Sequence, residues 1–473
     1  LAKDGLPDYM TAIDELFAAR VTPEENAVIP LLQIMGAKFG QWQLPEDFYE
    51  RIGMEPLPAD GDYFTNLVEF HQAPPTATSA LRDQGKQARG RPWSDQEFPQ
   101  VAQWLDHNLD HMARLNEVAD RSQFYLPQWD YTNRDGVPEL NFVNAVRSKE
   151  PMHAIVAQAM RELNAGDAAG GIEWAKLLHR LARVWSNSPN PYEIYNATEL
   201  EEAALDLDEA IAGHVSLSVE QAREHLDRLD QSPTLQITTR AIGEGKRLEL
   251  LAFIVDLYRF PDTDQRLNLD WDVALQTVNE VFDKTVTVAQ SGDPKQLQAL
   301  EESLEARFAE LGGTDEDWQE WQLSFKSSRA EFSEAFAIEA CLLDLHTIGS
   351  KFSTHRRLAL RRQMIRIALA LELYRRDNGN YPSRLEELEG RYLTNIPTPI
   401  QTPTSGEAFE YSTSGSTCLV GFDNSRGDWI HFDLENNEYS VSDLVIQLPW
   451  LPMEKRAYPW SVPALAGEEN AVD

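Results

Sequence analysis

Residues 356–379 read RRLALRRQMIRIALALELYRRDNG, and residues 380–397 continue NYPSRLEELEGRYLTNIP. Leu360, Met364, Ile367, Leu371 and Tyr374 recur at steps of four, three, four and three, which predicts a helix with one apolar face. Arg361, Arg362, Arg366 and Arg376 fall on the opposite side. Asn378-Gly379 ends the helix, because glycine accepts the left-handed conformation at a helix C-terminus. Pro382 keeps it from resuming at once. A short second helix is expected over 383–390, starting at a serine cap. EAFEYS (407–412), TCLVGF (417–422) and DWIHFD (428–433) then read as short strands between turn-rich segments. The stretch therefore predicts a helix feeding a small antiparallel sheet.

Upstream, residues 148 to about 350 follow a helical pattern almost throughout, with breaks at Gly/Asp, Pro and Gly-Gly positions. Two helices joined by Ala-Gly-Asp at 165–167 resemble one hairpin of a helical repeat, but no sustained repeat period follows. A helix is expected over 94–118, with Ser94 and Glu97 forming a capping box and Val101, Leu105, Leu109 and Met112 on one face. Residues 72–93, rich in Pro, Gly, Ser and Thr, read as a loop. The expected organisation is an irregular N-terminal region (1–93), a helical domain (94–350), a compact α+β module (351–445) and an extended Pro/Trp-rich tail (446–473). The fold class is thus mainly α: a large multi-helix body with a small C-terminal α+β module.

The bulk composition bounds the function. The 473-residue chain carries 77 acidic and 42 basic residues, a net charge of −35. Such a chain repels nucleic-acid backbones and anionic lipid surfaces, so neither is expected as a partner. Hydrophobic residues make up 42% and there are 12 Trp, enough for substantial cores. Cys341 and Cys418 are the only cysteines, and their pairing is open. No stretch approaches the ~18 uninterrupted apolar residues of a membrane span. The sequence starts at Leu1, and an export signal or an anchor upstream of it is an expectation that would fit.

Candidate chemistry is sparse. In GFDNSRGDWIHFD (421–433), Asp423, Asn424, Ser425 and Asp428 supply oxygen donors of the kind calcium takes. The same residues also suit a plain turn. DYTNRDGVPELN (130–141) has the look of an EF-hand loop, but Tyr131 and Phe142 would occupy positions that need carboxylates. His107 and His111 stand one helical turn apart, yet HNLDH lacks the glutamate of a zinc-protease motif. Cys341 sits in AFAIEACLLDLH and reads as a packed thiol. Gly243 and Gly245 read as a flexible break rather than a phosphate loop. Adjacent acid pairs such as Glu201-Glu202 are expected from composition alone. The arginines at 356–366 suggest docking on acidic helices of this chain or of a neighbour, against the simpler reading of a solvated face.

The helix ending in DNGNYP, the Leu385/Leu388 helix, Ile396-Pro397 and the strands to Asp433 resemble the C-terminal part of a type II secretion major pseudopilin, over about a sixth of the chain. Here more than 350 residues precede the equivalent helix, and its arginines bar it from a membrane or a fibre core. Thr398-Pro399 stands where such subunits commonly carry Asp-Pro. RPWSDQEFPQVAQWLDHN (91–108), GDAAGGIEWAKLLHRLARVW (166–185) and GEGKRLELL (243–251) are similar to a family of large bacterial envelope proteins that end in this module and have no assigned activity. The resemblance implies an extracytoplasmic protein, in the periplasm or on the cell surface. It further implies a non-enzymatic scaffold or binding subunit of a secretion-related or surface assembly, working through protein partners or self-association. The alternative is a metal-dependent enzyme with a site between helical domains.

Overall fold

The computed structural model describes residues 7–36, 38–39, 42–44, 46–127, 131–132, 138–139, 149–235, 239–259, 268–313, 328–397, 409–413, 418–422, 430–433, 438–441 and 444–448. Its helices are α1 (Tyr9–Ala18), α2 (Val28–Met35), α3 (Glu46–Arg51), α4 (Leu67–Phe70), α5 (Pro75–Gly90), α6 (Pro99–Ala119) and α7 (Lys149–Asn164). They continue as α8 (Ala168–Ser186), α9 (Pro191–Ala212), α10 (Val219–Gln231), α11 (Arg247–Arg259), α12 (Trp271–Ser291), α13 (Pro294–Glu310) and α14 (Arg329–Asn378).

The organising element is α14, 50 residues long and so about 75 Å at the rise of an α-helix. Ser328 and Glu331 close a capping box at its start, and Gly379 ends it at φ 84°, a conformation in which glycine carries no steric cost. No proline interrupts it. Its first half packs Phe332, Phe336, Cys341 and Leu345 into a core shared with α11, α12 and α13. Its second half packs Leu358, Met364, Ile367 and Leu371 into a larger core with α2, α6, α7, α8 and α9. The expected apolar stripe of this second half is too narrow. Arg362 and Ile365 are buried along with Met364, because helices cover α14 on several sides.

The expected C-terminal α+β pseudopilin-like module is overturned. Helix makes up 71% of the structure, and a separate α+β hairpin module is not shown. The helix assigned to it is the second half of α14, so the boundary at 351 falls inside one continuous helix. Short antiparallel pairings join Glu410–Thr413 to Cys418–Phe422 and the latter to Leu444–Leu448, with Ile430–Asp433 against Glu438–Val441. Phe409, Cys418, Val420, Ile446 and Leu448 enter the same core as Leu31 and Leu371, so these pieces belong to the body. The short helix expected at 383–390 is a single 3-10 turn, Leu385–Leu388. The NYP turn folds back on α14 through the Tyr381 hydroxyl, which donates to buried Glu372.

Three local readings also change. Residues 75–90, expected as loop, form α5: Pro75 takes the first-turn position where its missing N–H costs nothing, and Leu81 and Ala88 anchor the helix in the core. The helix expected from Ser94 begins at Pro99, with Ser94–Phe98 as a turn before it, and Leu109 is exposed rather than on the apolar face. The Gly243 region is a π-helical turn, Ala241–Lys246, running into α11. A Cβ on Gly243 would lie 2.8 Å from Val286 Cγ2, so the glycine permits close approach of α12 rather than supplying a break. The Ala-Gly-Asp hairpin is present: α7 and α8 run antiparallel, with Glu162 accepting from the Trp174 indole at 3.0 Å.

Candidate functional site

The residues expected to hold calcium, Asp423, Asn424 and Asp428, lie outside the described residues, as do Ser425 and most of the 130–141 loop. His107 and His111 do not converge. His107 is exposed and stacks on Phe70 at 4.9 Å. His111 is buried, with Nε2 3.6 Å from Asp62. Among the described residues no group of three or more His, Cys, Asp or Glu side chains could hold a metal ion. Cys341 and Cys418 are both free and buried. Burial pushes both thiols well above the usual range.

The chemistry-bearing side chains instead gather where α8, α9, α10 and α14 meet. α8 and α9 are antiparallel, and Gly171 lets α8 close on α7: a Cβ there would sit 3.2 Å from Leu163. α9 and α14 run parallel. Arg357 pairs with Glu202, and Arg361, one turn on, pairs with Asp206. Each contact therefore repeats at the same sequence offset, as a parallel pair requires. Arg361 also reaches Glu209 at 3.0 Å, and Arg366 meets Asp230 on α10. The arginine face thus docks on acidic helices of its own chain, the first of the two docking arrangements its charge suggested.

Deeper in the same interface lies a hub of fully buried charge. His179 on α8 donates from Nδ1 to Glu201 at 2.8 Å and from Nε2 to Asp208 at 2.7 Å. Both ring nitrogens face carboxylates, so the ring is an imidazolium. Burial works against that charge, but the two carboxylates outweigh it and hold the His179 pKa above its ordinary value. Asp208 also faces His225 Nε2 at 3.0 Å and accepts from Arg228 at 3.2 Å. His225 Nδ1 lies 2.8 Å from an Arg228 nitrogen. Arginine only donates, so Nδ1 accepts and Nε2 carries the proton toward Asp208. His225 is therefore neutral, and burial together with Arg228 and His179 keeps its pKa low. Glu201 takes a further bond from Arg362 at 3.0 Å, and Arg362 caps the Ser232 and Pro233 carbonyls at 2.8 and 3.0 Å. Burial would raise the carboxylates of Asp208 and Glu201, but the surrounding cations hold both below the usual range.

Chemically the hub is turned inward on itself. A histidine between two carboxylates has the outline of a proton relay. Here the relay is closed to solvent: side-chain exposure is 1% for His179, 4% for Glu201 and 0% for Asp208. A separate cleft, lined by Ile194, Ile242, Lys246, Thr347, Ile348 and Lys351, is largely apolar. Lys246 is engaged by Glu249 at 3.1 Å and Asp344 at 3.3 Å, and Lys351 lies 4.2 Å over the Tyr195 ring.

Sequence reasoning passed over this hub. Glu201 falls in an acid pair of the kind that composition alone produces, and His179 carries no motif. A signal was present: Glu201, Ala204, Leu205, Asp208 and Ala212 share one helical stripe, so two carboxylates sit on an apolar face. No family model, curated protein or solved structure matches the chain.

Proposed function

We propose that this chain is a non-enzymatic scaffold or binding subunit that works by protein contact, in an assembly at the cell envelope. One observation carries the contact reading. The convergent acids, bases and arginines of the described body are spent on one another between α8, α9, α10 and α14, away from solvent. Removing buried charges from water is costly, and groups held this way fix one arrangement of helices. Catalysis needs the same groups aimed at a substrate. A rigid helical body with a strongly acidic surface presents broad faces to partners. The envelope part of the proposal rests on the C-terminal sequence resemblance. Among the described residues no helix is long and apolar enough to cross a membrane, so attachment would come through a partner or through other parts of the chain.

The test is in-cell crosslinking of the tagged full-length protein, followed by sizing and by fractionation of the envelope. The expected result is a discrete heavier species in the envelope fraction. Recovery of monomer alone from the cytoplasm, or metal-dependent turnover by the purified protein, overturns the proposal.

A further inference from the structure

Three lysines of the helical body are held by acids. Lys149 pairs with Glu199 at 2.8 Å, Lys176 with Glu173 at 3.1 Å, and Lys246 with Glu249 and Asp344 at 3.1 and 3.3 Å. Lys351 departs from this. It forms no ion pair and no hydrogen bond with any described residue, in a chain that carries 77 acids. What positions it is the Tyr195 ring, whose centroid lies 4.2 Å from Nζ. The residue is half-buried, and its nitrogen keeps access to solvent.

Lys351 lines the cleft where α9, α14 and the π-helical turn Ala241–Lys246 come together. Its walls are apolar: Ile194, Ala241, Ile242 and Ile348. Ile194 and Ala241 are buried yet belong to neither of the two cores, so they wall a gap that neither core fills. The cavity is about 40 Å³, which at about 10–15 Å³ for a water-sized group takes about three such groups. Lys246, from the π-helical turn, lines the same cleft, and turns of this kind recur at functional sites. Burial pushes the Lys351 pKa down, against the pull of Glu199 and Glu202. A lysine desolvated beside apolar side chains, with a second cation near, has the setting of a nucleophilic amine rather than of a solvated ammonium.

We infer that Lys351 is a site of imine formation with small aliphatic aldehydes, whose alkyl chain occupies the cleft walled by Ile194, Ala241, Ile242 and Ile348. The lone pair of the neutral Nζ adds to the carbonyl carbon, and the C–N bond forms as the C=O π bond opens. The carbinolamine then loses water: the carbonyl oxygen leaves with the two amine hydrogens, and a C=N bond remains. Nothing is oxidised or reduced. The imine, once protonated by solvent, keeps the positive charge that Glu199, Glu202 and the Tyr195 ring favour. The same surroundings disfavour a carboxylate ligand. Glu199 and Glu202 would repel it, and Lys246 is already held by Glu249 and Asp344. A neutral aldehyde adds no negative charge. The inference stands apart from the contact reading, because neither the buried hub nor the C-terminal stretch enters it.

The test treats the full chain at neutral pH with a limiting amount of propanal and sodium cyanoborohydride, which reduces an imine to a stable amine. Peptide mass spectrometry then gives the order in which lysines are labelled. Lys351 is expected to be labelled ahead of the exposed Lys176, Lys284 and Lys295. Trimethylacetaldehyde, too broad for the cleft, should label Lys351 no faster than it labels those three. Lys351→Arg keeps a cation over Tyr195 but cannot form the imine, so it should lose the fast label and leave the slower lysines unchanged. Without reductant, propanal should raise the melting temperature of the parent and not that of Lys351→Arg. Should that variant fail to fold, the labelling order and the comparison of the two aldehydes in the parent still decide. Propanal spread evenly over the exposed lysines, or equal speed of the two aldehydes at Lys351, overturns the inference.

Discussion

Arg362 on α14 and His179 on α8 grip opposite oxygens of one buried carboxylate, that of Glu201, at 3.0 and 2.8 Å. The two residues stand 183 positions apart in the chain and meet on a side chain from a third helix. The packing of α8, α9 and α14 thus depends on an arrangement that fails if any member is lost.

Arg362→Met should therefore be strongly destabilising, by about 3–5 kcal/mol, because it leaves Glu201 under-compensated in the interior. Glu201→Gln combined with Arg362→Met should cost less than the sum of the two single changes. Equilibrium denaturation followed by tryptophan fluorescence measures this. Simple additivity would show that the pair is not coupled.

The two hub histidines should titrate in opposite directions from free histidine. The His179 pKa is raised by Glu201 and Asp208 against burial, so its stabilising contribution is complete below pH 6.5 and is lost as pH rises through its folded pKa. The His225 pKa is lowered, first by burial, so its contribution is present above pH 6.5 and is lost as pH falls through its folded value. Nitrogen-15 chemical shifts should show a doubly protonated His179 and a neutral His225 at pH 6.5. A His179 that deprotonates earlier than a free histidine would contradict the assignment.

Glu193, at the start of α9, carries the reverse liability. It is buried, with Asn196 at 3.1 Å and the Trp185 indole as neighbours, and burial pushes its pKa up to about 8. A raised carboxyl favours the fold fully below the unfolded value of 4.5, and that contribution is lost as pH climbs through 8. Glu193→Gln should remove this dependence. The melting temperature of the parent should fall relative to that of the variant between pH 5 and 9, by the equivalent of a few kcal/mol. Parallel curves for the two proteins would refute the prediction.

Gly243→Ala should destabilise by about 1–3 kcal/mol, because the new methyl would meet Val286 at 2.8 Å. Pairing it with Val286→Ala should recover part of the loss. If the glycine served only as a flexible break, Gly243→Ala would be neutral or stabilising, and Val286→Ala would not rescue it.

The sequence showed much of the helical body: the stretch from 148 to about 350, which reads as helical, carries α7 to α13 and the start of α14. Local signals sufficed there: period, caps and Pro/Gly punctuation. It failed where the deciding contacts are distant in the chain. The Arg361–Asp206 pairing and the Glu201–Arg362 pairing each join residues more than 150 positions apart, so a helix that reads as half-solvated is wrapped by others. The boundary expected at 351 rested on the pattern and resemblance of the C-terminal stretch. Gly349, Ser350, Ser353 and Thr354 are weak helix formers, yet the helix runs through them and only its packing partners change. The segment with calcium-type donors, 423–429, lies outside the described residues.

Because α14 threads both cores without interruption, its length works as a phase lock between them. Inserting a single residue near Ser350, between the last side chain of one core and the first of the other, would turn one half of the body by about 100° and displace it about 1.5 Å relative to the other. Every arginine rung past that point would then miss its acid. In this chain, the number of residues between Ile348 and Leu358 is as much a determinant of the structure as their identities.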